Sequence, residues 1–265
     1  MLAIDGQPAI RLASFAGCKD KVLGVEYEDC HFEVVNFPRV LLDWFNDAVG
    51  GDGVRHDLTV YSVSFDMEVT GELQINDAFL RDISVADADA ASKDFQRMSF
   101  VAVPSELKKV RPSRTTLNMP PNEKLATVAS FSLEIPDIEA RRARSVRGIH
   151  VAIPKVAVDG VTARRMFEPG IPEVGDVWVA TSSTELASYE DWVRTVLGGR
   201  VDRRDGRLSL LNASLTEARA IIELEGLTPA ESLDPFASGG DARTPGSSSI
   251  RLDVQAVRFV PPPGS

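Results

Sequence analysis

Two stretches of the chain, LLDWFNDAVGGDGVRHDLTV at residues 41–60 and YEDWVRTVLGGRVDRRDGRL at residues 189–208, decide the fold. They align without a gap at an offset of 148 residues, which is residue 189 minus residue 41. The identities are Asp43 with Asp191, Trp44 with Trp192, Gly50-Gly51 with Gly198-Gly199, Arg55 with Arg203 and Asp57 with Asp205. Further along, Ala78-Phe79 falls on Gly226-Leu227 at the same offset. Matches of this kind in one register indicate an internal duplication.

Each block predicts a short helix followed by a β-hairpin. Apolar residues from Leu41 to Val49 recur every three or four positions, which places them on one helical face. The glycine pair that follows ends the helix, because glycine readily takes the positive φ of a C-cap. The alternating runs that predict the two hairpins are 58–63 with 67–75 and 207–211 with 218–224.

The remaining runs place each helix in a β-rich domain. Strand-like runs before the helices are 9–15, 24–27, 31–36, 129–135, 148–154 and 176–181, and those after the hairpins are 98–103 and 250–260. The predicted fold class is therefore mostly β, with two tandem β-sandwich or half-barrel domains that each carry one short α-helix. The proline-containing stretch 111–124 has no periodicity. We predict a first domain at 1–112, a linker at 113–124 and a second domain at 125–265.

The composition excludes several classes of protein. The 265 residues carry a net charge of −10 and a pI near 4.9, which argues against an extended phosphate-binding surface. The N-terminal residues resemble no signal peptide, and no apolar run is long enough for a membrane span, so we expect no membrane insertion. Cys18 and Cys30 are too few for a disulfide framework, which favours synthesis in a reducing cytoplasm.

Motifs for catalysis, cofactors or metals are not found in the sequence, so we expect neither an enzyme nor a bound cofactor. His31, His56 and His150 have no partner at metal-ligand spacing, and no nucleophile elbow, phosphate loop or dinucleotide fingerprint occurs. Gly50 to Gly53 is rich in glycine, but it follows a helix instead of opening one. Asp82, Asp87 and Asp89, with Asp77 upstream, could form an acid–base pair or an ion loop, although a solvated loop explains them more simply.

Several residues have a predicted structural role. Trp44 and Trp192 are predicted core anchors that join helix to sheet. The repeated Arg55/Asp57 and Arg203/Asp205 pairs form either a turn at the strand entrance or intersubunit ion pairs, and the sequence leaves both interpretations open. The basic residues that we assign to a subunit rim are Arg141, Arg142, Arg144, Arg164 and Arg165.

Together these blocks resemble the tail-tube family of contractile phages and phage-like injection systems. In the first repeat the resemblance rests on the Leu-x-x-Trp helix, the hairpin, and the loop 83–90 leading to MSFVAVPSE at 98–106. In the second repeat it rests on PGIPEVGDV at 169–177, YEDWV at 189–193, GRLSL at 206–210 and IELEGLTPAE at 222–231. The resemblance covers most of the chain and depends on patterns, since no invariant signature is present.

The resemblance implies a β-sandwich whose hairpins join those of neighbouring subunits in a closed barrel around a lumen. Because this chain carries the domain twice, three chains could form a ring with pseudo-sixfold symmetry. That arrangement suits a baseplate hub or the tip of a tube, with tube, spike and other baseplate proteins as partners. DNA or a protein cargo would pass through an acidic lumen without specific binding.

Two alternatives remain from the sequence. One is a principal inner-tube subunit in stacked hexameric rings. The other is a soluble binding module or enzyme with two β-domains, for which the Asp82–Asp89 loop and the Arg164-Arg165 region are the places to look. For the structural roles, the chain would be synthesised in the cytoplasm and then assembled into a virion tail or an injection particle.

Overall fold

The computed structural model describes residues 1–7, 10–21, 26–118, 125–158, 165–182, 186–230 and 247–262. Parts of several predicted segments lie outside these described residues. They are Ala9 of the run 9–15, Gly24 and Val25 of the run 24–27, the second half of the linker, Arg164 and the last three residues of the second domain.

The described chain is mostly β, with two helices, α1 (Arg39–Gly50) and α2 (Leu186–Leu197). The strands of the first part are β1 (Leu2–Ile4), β2 (Leu12–Gly17), β3 (Cys30–Val34), β4 (His56–Val63), β5 (Val69–Val85), β6 (Ala88–Asp89), β7 (Met98–Val103) and β8 (Glu106–Val110). Those of the second part are β9 (Phe131–Glu134), β10 (Ser145–Arg147), β11 (His150–Ala152), β12 (Lys155–Val158), β13 (Met166–Pro169), β14 (Glu173–Val174), β15 (Val177–Ser182), β16 (Arg204–Leu211), β17 (Ala218–Pro229), β18 (Ser247–Asp253) and β19 (Ala256–Val260).

The chain forms two compact units that do not follow it linearly. Unit 1 contains Met1–Ser84, Arg97–Glu123 and Val151–Glu173. Unit 2 contains Val85–Gln96, Lys124–His150 and Val174–Ser265. Each unit therefore takes in one segment from the part of the chain that mainly builds the other unit.

The main sheet of unit 1 has the strand order β1-β4-β5-β7-β3-β2, and β8 also pairs with β5. The pairs β1–β4, β2–β3, β3–β7, β4–β5 and β5–β8 are all antiparallel. Helix α1 packs on this sheet through an aromatic cluster. Phe100 of β7 stacks on Phe32 with the ring centroids 4.8 Å apart, and it meets Trp44 and Phe45 of the helix edge-on.

The sheet of unit 2 has the order β9-β16-β17-β18-β15-β10-β6, and β19 also pairs with β17. Apart from β6, this is the strand order of unit 1, with β9 in the place of β1 and β19 in the place of β8. Its core is largely aliphatic, and Tyr189 and Trp192 of α2 are buried against it.

The predicted strands are close to the observed ones, and they differ where the chain changes neighbours. The run 250–260 forms two strands, because β18 pairs with β15 while β19 pairs with the middle of β17. Of the run 148–154, only β11 (His150–Ala152) is a strand, and Gly148, with a φ of +83°, separates it from β10. The first half of the predicted linker continues the sheet, because Val69 N–H donates to Thr115 O at 3.0 Å.

Within the described residues, neither helix is long and apolar enough to cross a membrane.

Candidate functional site

The two helices end in the same way. Gly51 has a φ of +81°, and its N–H donates to Ala48 O at 3.2 Å. Gly199, 148 residues later, has a φ of +82°, and its N–H donates to Val196 O at 2.9 Å. A left-handed residue at this position satisfies carbonyls that the end of a helix leaves without a partner. The glycine pairs noticed in the sequence therefore form equivalent C-caps.

Trp44 and Trp192 make equivalent contacts. Each side chain is 1% exposed. The Nε1–H of Trp44 donates to Val54 O at 3.4 Å, and that of Trp192 donates to Asp202 O at 2.9 Å. Both acceptors lie ten residues after the tryptophan, in the segment that leads into the hairpin. Each indole thus fixes the path from the helix to the next strand while its ring fills the core.

The repeated aspartates hold a β-bulge in each hairpin. Between β4 and β5 the register shifts at residue 57, and Asp57 Oδ1 accepts from Asp77 N–H at 2.8 Å. Between β16 and β17 it shifts at residue 205, and Asp205 Oδ1 accepts from Gly226 N–H at 3.0 Å. The two donors are in the left-handed region, with φ of +52° for Asp77 and +64° for Gly226. The carboxylate satisfies an N–H that the bulge leaves out of the ladder.

The equivalence of Asp77 and Gly226 corrects the gapless alignment. In the first hairpin Val63 pairs with Val69, and in the second Leu211 pairs with Ala218, so the second turn is one residue longer. After the turn the equivalent positions are therefore 149 residues apart. Ala78 corresponds to Leu227, and not to Gly226 as the sequence alignment predicts.

Arg55 is engaged within unit 1. Its guanidinium donates to the backbone and carboxylate oxygens of Asp77, both at 3.1 Å, and to Ser105 Oγ at 2.9 Å. Its Nη2 donates to Phe167 O at 2.7 Å, and its Cζ lies 5.1 Å from the centre of the Phe79 ring. Arg55 thus joins the bulge of the hairpin to the segment 151–173.

Arg203 occupies the equivalent position in unit 2 but is exposed. Its neighbour Arg204 lies over the Trp192 ring, with 5.1 Å between Cζ and the ring centre, and donates to Pro136 O at 2.9 Å. In unit 1 the residue equivalent to Arg204 is His56, which meets Trp44 edge-on. Intersubunit ion pairs through Arg55, Asp57, Arg203 and Asp205 remain a prediction.

The segment 151–173, which we call the strap and of which 151–158 and 165–173 are described, contacts a buried carboxylate of unit 1. The Lys155 ammonium donates to Asp29 Oδ1 at 2.9 Å, and Arg81 donates to the other oxygen of Asp29. Burial alone would raise the pKa of Asp29, but the hydrogen bonds from Lys155 and Arg81 outweigh it and lower this pKa below its ordinary value. The carboxylate therefore stays charged and keeps both cations in place.

A charged row crosses the exposed face of the unit 2 sheet. Arg207 of β16 donates to Glu223 of β17 at 3.0 Å, and Arg258 of β19 donates to the same carboxylate. These hydrogen bonds, led by that from Arg258, lower the pKa of Glu223. Glu134 of β9 pairs with Arg141 at 3.3 Å. At the corresponding positions of unit 1 the residues on β4 and β5 are uncharged, namely Thr59 and Gln74.

The predicted rim arginines are not gathered in one contact. Arg141 and Arg142 are exposed, Arg144 is half-buried and Arg165 is exposed beside β13. Arg164 lies outside the described residues. The assignment of these residues to a subunit rim stays a prediction.

The aspartates between residues 82 and 89 do not form one cluster and make separate contacts. Asp87 accepts from Gly148 N–H at 3.2 Å, and Asp89 pairs with Arg147 at 3.3 Å. Asp82 lies on β5. In the described part of the chain, no group of three or more His, Cys, Asp or Glu side chains is placed to hold a metal ion.

Cys18 and Cys30 form a disulfide, which the cysteine count did not indicate. It closes the loop between β2 and β3 on unit 1, and Asp29 stands directly beside it. Both cysteines are buried. The sequence had no signal for this pairing, because the two positions meet only once β2 and β3 pair.

No protein-family model matches the sequence, and no curated protein matches it significantly. Among solved structures, the fold is similar to a chain of the PVC extracellular contractile injection system sheath–tube complex in its extended state, with 20% identity and a TM-score of 0.39 over 54% of this chain and 92% of that one. It is also similar to the tube-terminating cap of the anti-feeding prophage, with 14% identity and a TM-score of 0.41 over 56% and 95%. A third is the PVC sheath/tube terminator, with 20% identity and a TM-score of 0.40 over 55% and 99%. These similarities concern the fold alone.

Proposed function

We propose that this chain is a structural component of a contractile phage tail or a phage-like injection system, and that it forms a ring around a central lumen at the baseplate hub or the tip of the tube. The solved chains named above come from machines of this class, and the proposal extends the class to this chain. Its repeats are 1–112 and 125–265, joined by the linker 113–124. No catalytic step is part of the proposal.

The observation that carries the proposal is the recurrence of one unit within one chain. The two units share their strand order, the helix C-cap, the tryptophan hydrogen bond and the aspartate at the bulge. Such a set of shared contacts supports an internal duplication. A chain with two equivalent units can occupy two adjacent places in a closed ring, so that three chains imitate sixfold symmetry.

Open strand edges support assembly with other chains. Among the described strands, β8 pairs only with β5, β9 only with β16 and β19 only with β17. An unpaired edge offers N–H and C=O groups to another strand, and closure into a barrel removes it. Exposed Lys108 and Lys109 on β8 restrict which strand can approach. In the ring, these edges pair between neighbouring units.

The net charge suits passage of a cargo through the ring. A chain with a charge of −10 gives the ring an acidic surface, which repels DNA or an acidic protein and prevents tight binding to the wall. The partners are then further copies of this chain, tube and spike proteins and other baseplate proteins. The chain is synthesised in the cytoplasm and is assembled into a virion tail or an injection particle afterwards.

The symmetry of the purified particle tests the proposal. We expect native mass spectrometry to give three chains per particle and negative-stain images to show a ring with six lobes. Long tubes of stacked rings would favour the principal-tube alternative. A protein that stays monomeric at high concentration would contradict assembly altogether.

A further inference from the structure

The strap covers the end of helix α1 in unit 1. A small cavity at this contact is lined by residues that follow or end the helix, including Gly51, Gly53 and Val54, and by Ile153, Pro169 and Gly170 of the strap. The packing is close, since a Cβ added to Gly53 would lie 3.2 Å from Pro169 Cγ. Arg55 completes the contact by donating to Phe167 O at 2.7 Å. Apolar contact and one charged donor thus hold the strap against this surface.

The equivalent surface of unit 2 is exposed. We call it the α2-end surface and define it by Leu197, Arg200, Val201 and Arg203. Leu197 is 70% exposed and Val201 is 86% exposed, and both arginines are exposed as well. Val201 and Arg203 correspond to Gly53 and Arg55, two of the positions of unit 1 that meet the strap. Where unit 1 has a covered surface, unit 2 therefore shows apolar side chains and an arginine with no described residue over them.

The first repeat supplies no second strap. The strap lies between β10 and β15, and the corresponding connection of the first repeat runs between β2 and β3. The equivalence is marked by Gly17 and Gly148, which both have positive φ and where an added Cβ would collide with the carbonyl oxygens of Asp29 and Asp176. The first connection is short and is closed by the disulfide, with a separation of 12 residues between Cys18 and Cys30. It belongs to unit 1.

We propose that the α2-end surface is a docking site for a second copy of this chain, which covers it as the strap covers the end of α1. The inference rests on the proposed ring and identifies one contact that closes it. Two observations select a second copy. The equivalent surface is already covered by a segment of this same chain, and two arginines here face partners whose net charge is −10. Leu197 and Val201 supply the apolar centre, and Arg200 and Arg203 supply donors for backbone carbonyls or carboxylates.

The self-association of variants of this surface tests the docking site. The variants are Leu197→Asp with Val201→Asp, and separately Arg200→Glu with Arg203→Glu. Because all four side chains are exposed, the far-ultraviolet circular dichroism and the thermal midpoint should match those of the unchanged protein. We expect self-association, measured by sedimentation velocity, to weaken at least about 10-fold in both double variants.

The matched controls are Leu215→Asp, at a hairpin tip of the same unit and 60% exposed, and Arg39→Glu, at the start of α1, where the arginine side chain is 69% exposed. Both should assemble as the unchanged protein does.

If the α2-end variants still form the full ring, the docking site is wrong while the proposed function stands. If the unchanged protein is a monomer, the proposed function itself is wrong. An intact ring whose α2-end variants fail to bind a co-produced tail protein would assign the surface to that protein and overturn the second copy.

Discussion

At the scale of residues, some identical residues of the two repeats make different contacts in the two units. Trp44 and Trp192 could be predicted as core residues, because a large apolar side chain on one helical face is normally buried. Arg55 and Arg203 could not be told apart, since the acceptor that distinguishes them is the carbonyl of Phe167, which is 112 residues from Arg55. The roles of Asp57 and Asp205 at the bulges were also hidden, because a bulge has no reliable sequence signal.

The two arginines give a matched pair of variants. Arg55→Ala removes the donor to Asp77, Ser105 and Phe167, and we expect it to lower the free energy of unfolding by about 1–3 kcal/mol, because acceptors lose their partner. Arg203→Ala removes an exposed side chain and should change it by less than about 0.5 kcal/mol. Chemical denaturation of each variant measures both values at a concentration where the protein does not assemble. Equal losses in the two variants would contradict the different roles.

At the scale of elements, the two repeats fill the same connection differently. Between β2 and β3 the chain makes a short disulfide-closed loop, and between β10 and β15 it makes the strap. The helices and hairpins were predictable from periodicity, which reflects burial on one face. The strap was not, because its hairpin of β12 and β13 is held by contacts with unit 1 that local sequence does not encode.

The Asp29 contact makes the strap sensitive to acid. Because the pKa of Asp29 is lowered in the folded protein, its stabilising effect is present above the ordinary aspartate value of about 3.9 and is lost as the pH falls through the lowered value. We expect protease cleavage within 151–173 to accelerate on acidification below about pH 4, as measured with an acid-active protease and mass spectrometry.

Asp29→Ala is the control for this contact. It should expose the strap to cleavage already at neutral pH and remove the acid-dependent change, because Lys155 and Arg81 then lack their common acceptor. A variant that is cleaved as slowly as the unchanged protein at neutral pH would show that Asp29 does not hold the strap.

The Cys18–Cys30 disulfide should stabilise the folded protein. In the chain-entropy description, closing a loop of this length restricts the unfolded chain and contributes about 3 kcal/mol. Reduction with dithiothreitol should therefore lower the denaturation midpoint, measured by tryptophan fluorescence. The double variant Cys18→Ser with Cys30→Ser should start at the lower midpoint and should not respond to the reductant. An equal response in the variant would contradict a role for this bond.

At the scale of the whole molecule, the sequence predicts two β-rich units but not how the chain is shared between them. The hydrophobic pattern reports which residues are buried, and it does not report which sheet buries them. Residues 85–96 look like a loop of the first repeat and lie in unit 2, where Gln96 is buried and donates to Ser130 O at 2.7 Å and to Leu211 O at 2.9 Å. The strap belongs to the second repeat and lies in unit 1.

Because each unit contains a segment from the other repeat, we expect neither repeat to fold in isolation. A fragment of residues 1–112 lacks the strap, and a fragment of residues 125–265 lacks Gln96 and its neighbours. We expect neither fragment to unfold cooperatively in circular dichroism, whereas the two produced together should restore a folded protein. The control is the intact chain with a protease site inserted in the predicted linker at 119–124, which should stay folded after cleavage. Two separately stable halves would contradict this expectation.

The strap also sets an order for synthesis. The chain leaves the ribosome N-terminus first, so unit 1 lacks its last segment until residue 173 has emerged. By then residues 125–173, about a third of the second repeat, are also outside the ribosome. Unit 1 therefore cannot be completed before unit 2 has begun to form. The two units of the nascent protein fold together and not one after the other. A chain interrupted early leaves unit 1 unfinished, which favours its removal by proteases over its entry into a particle.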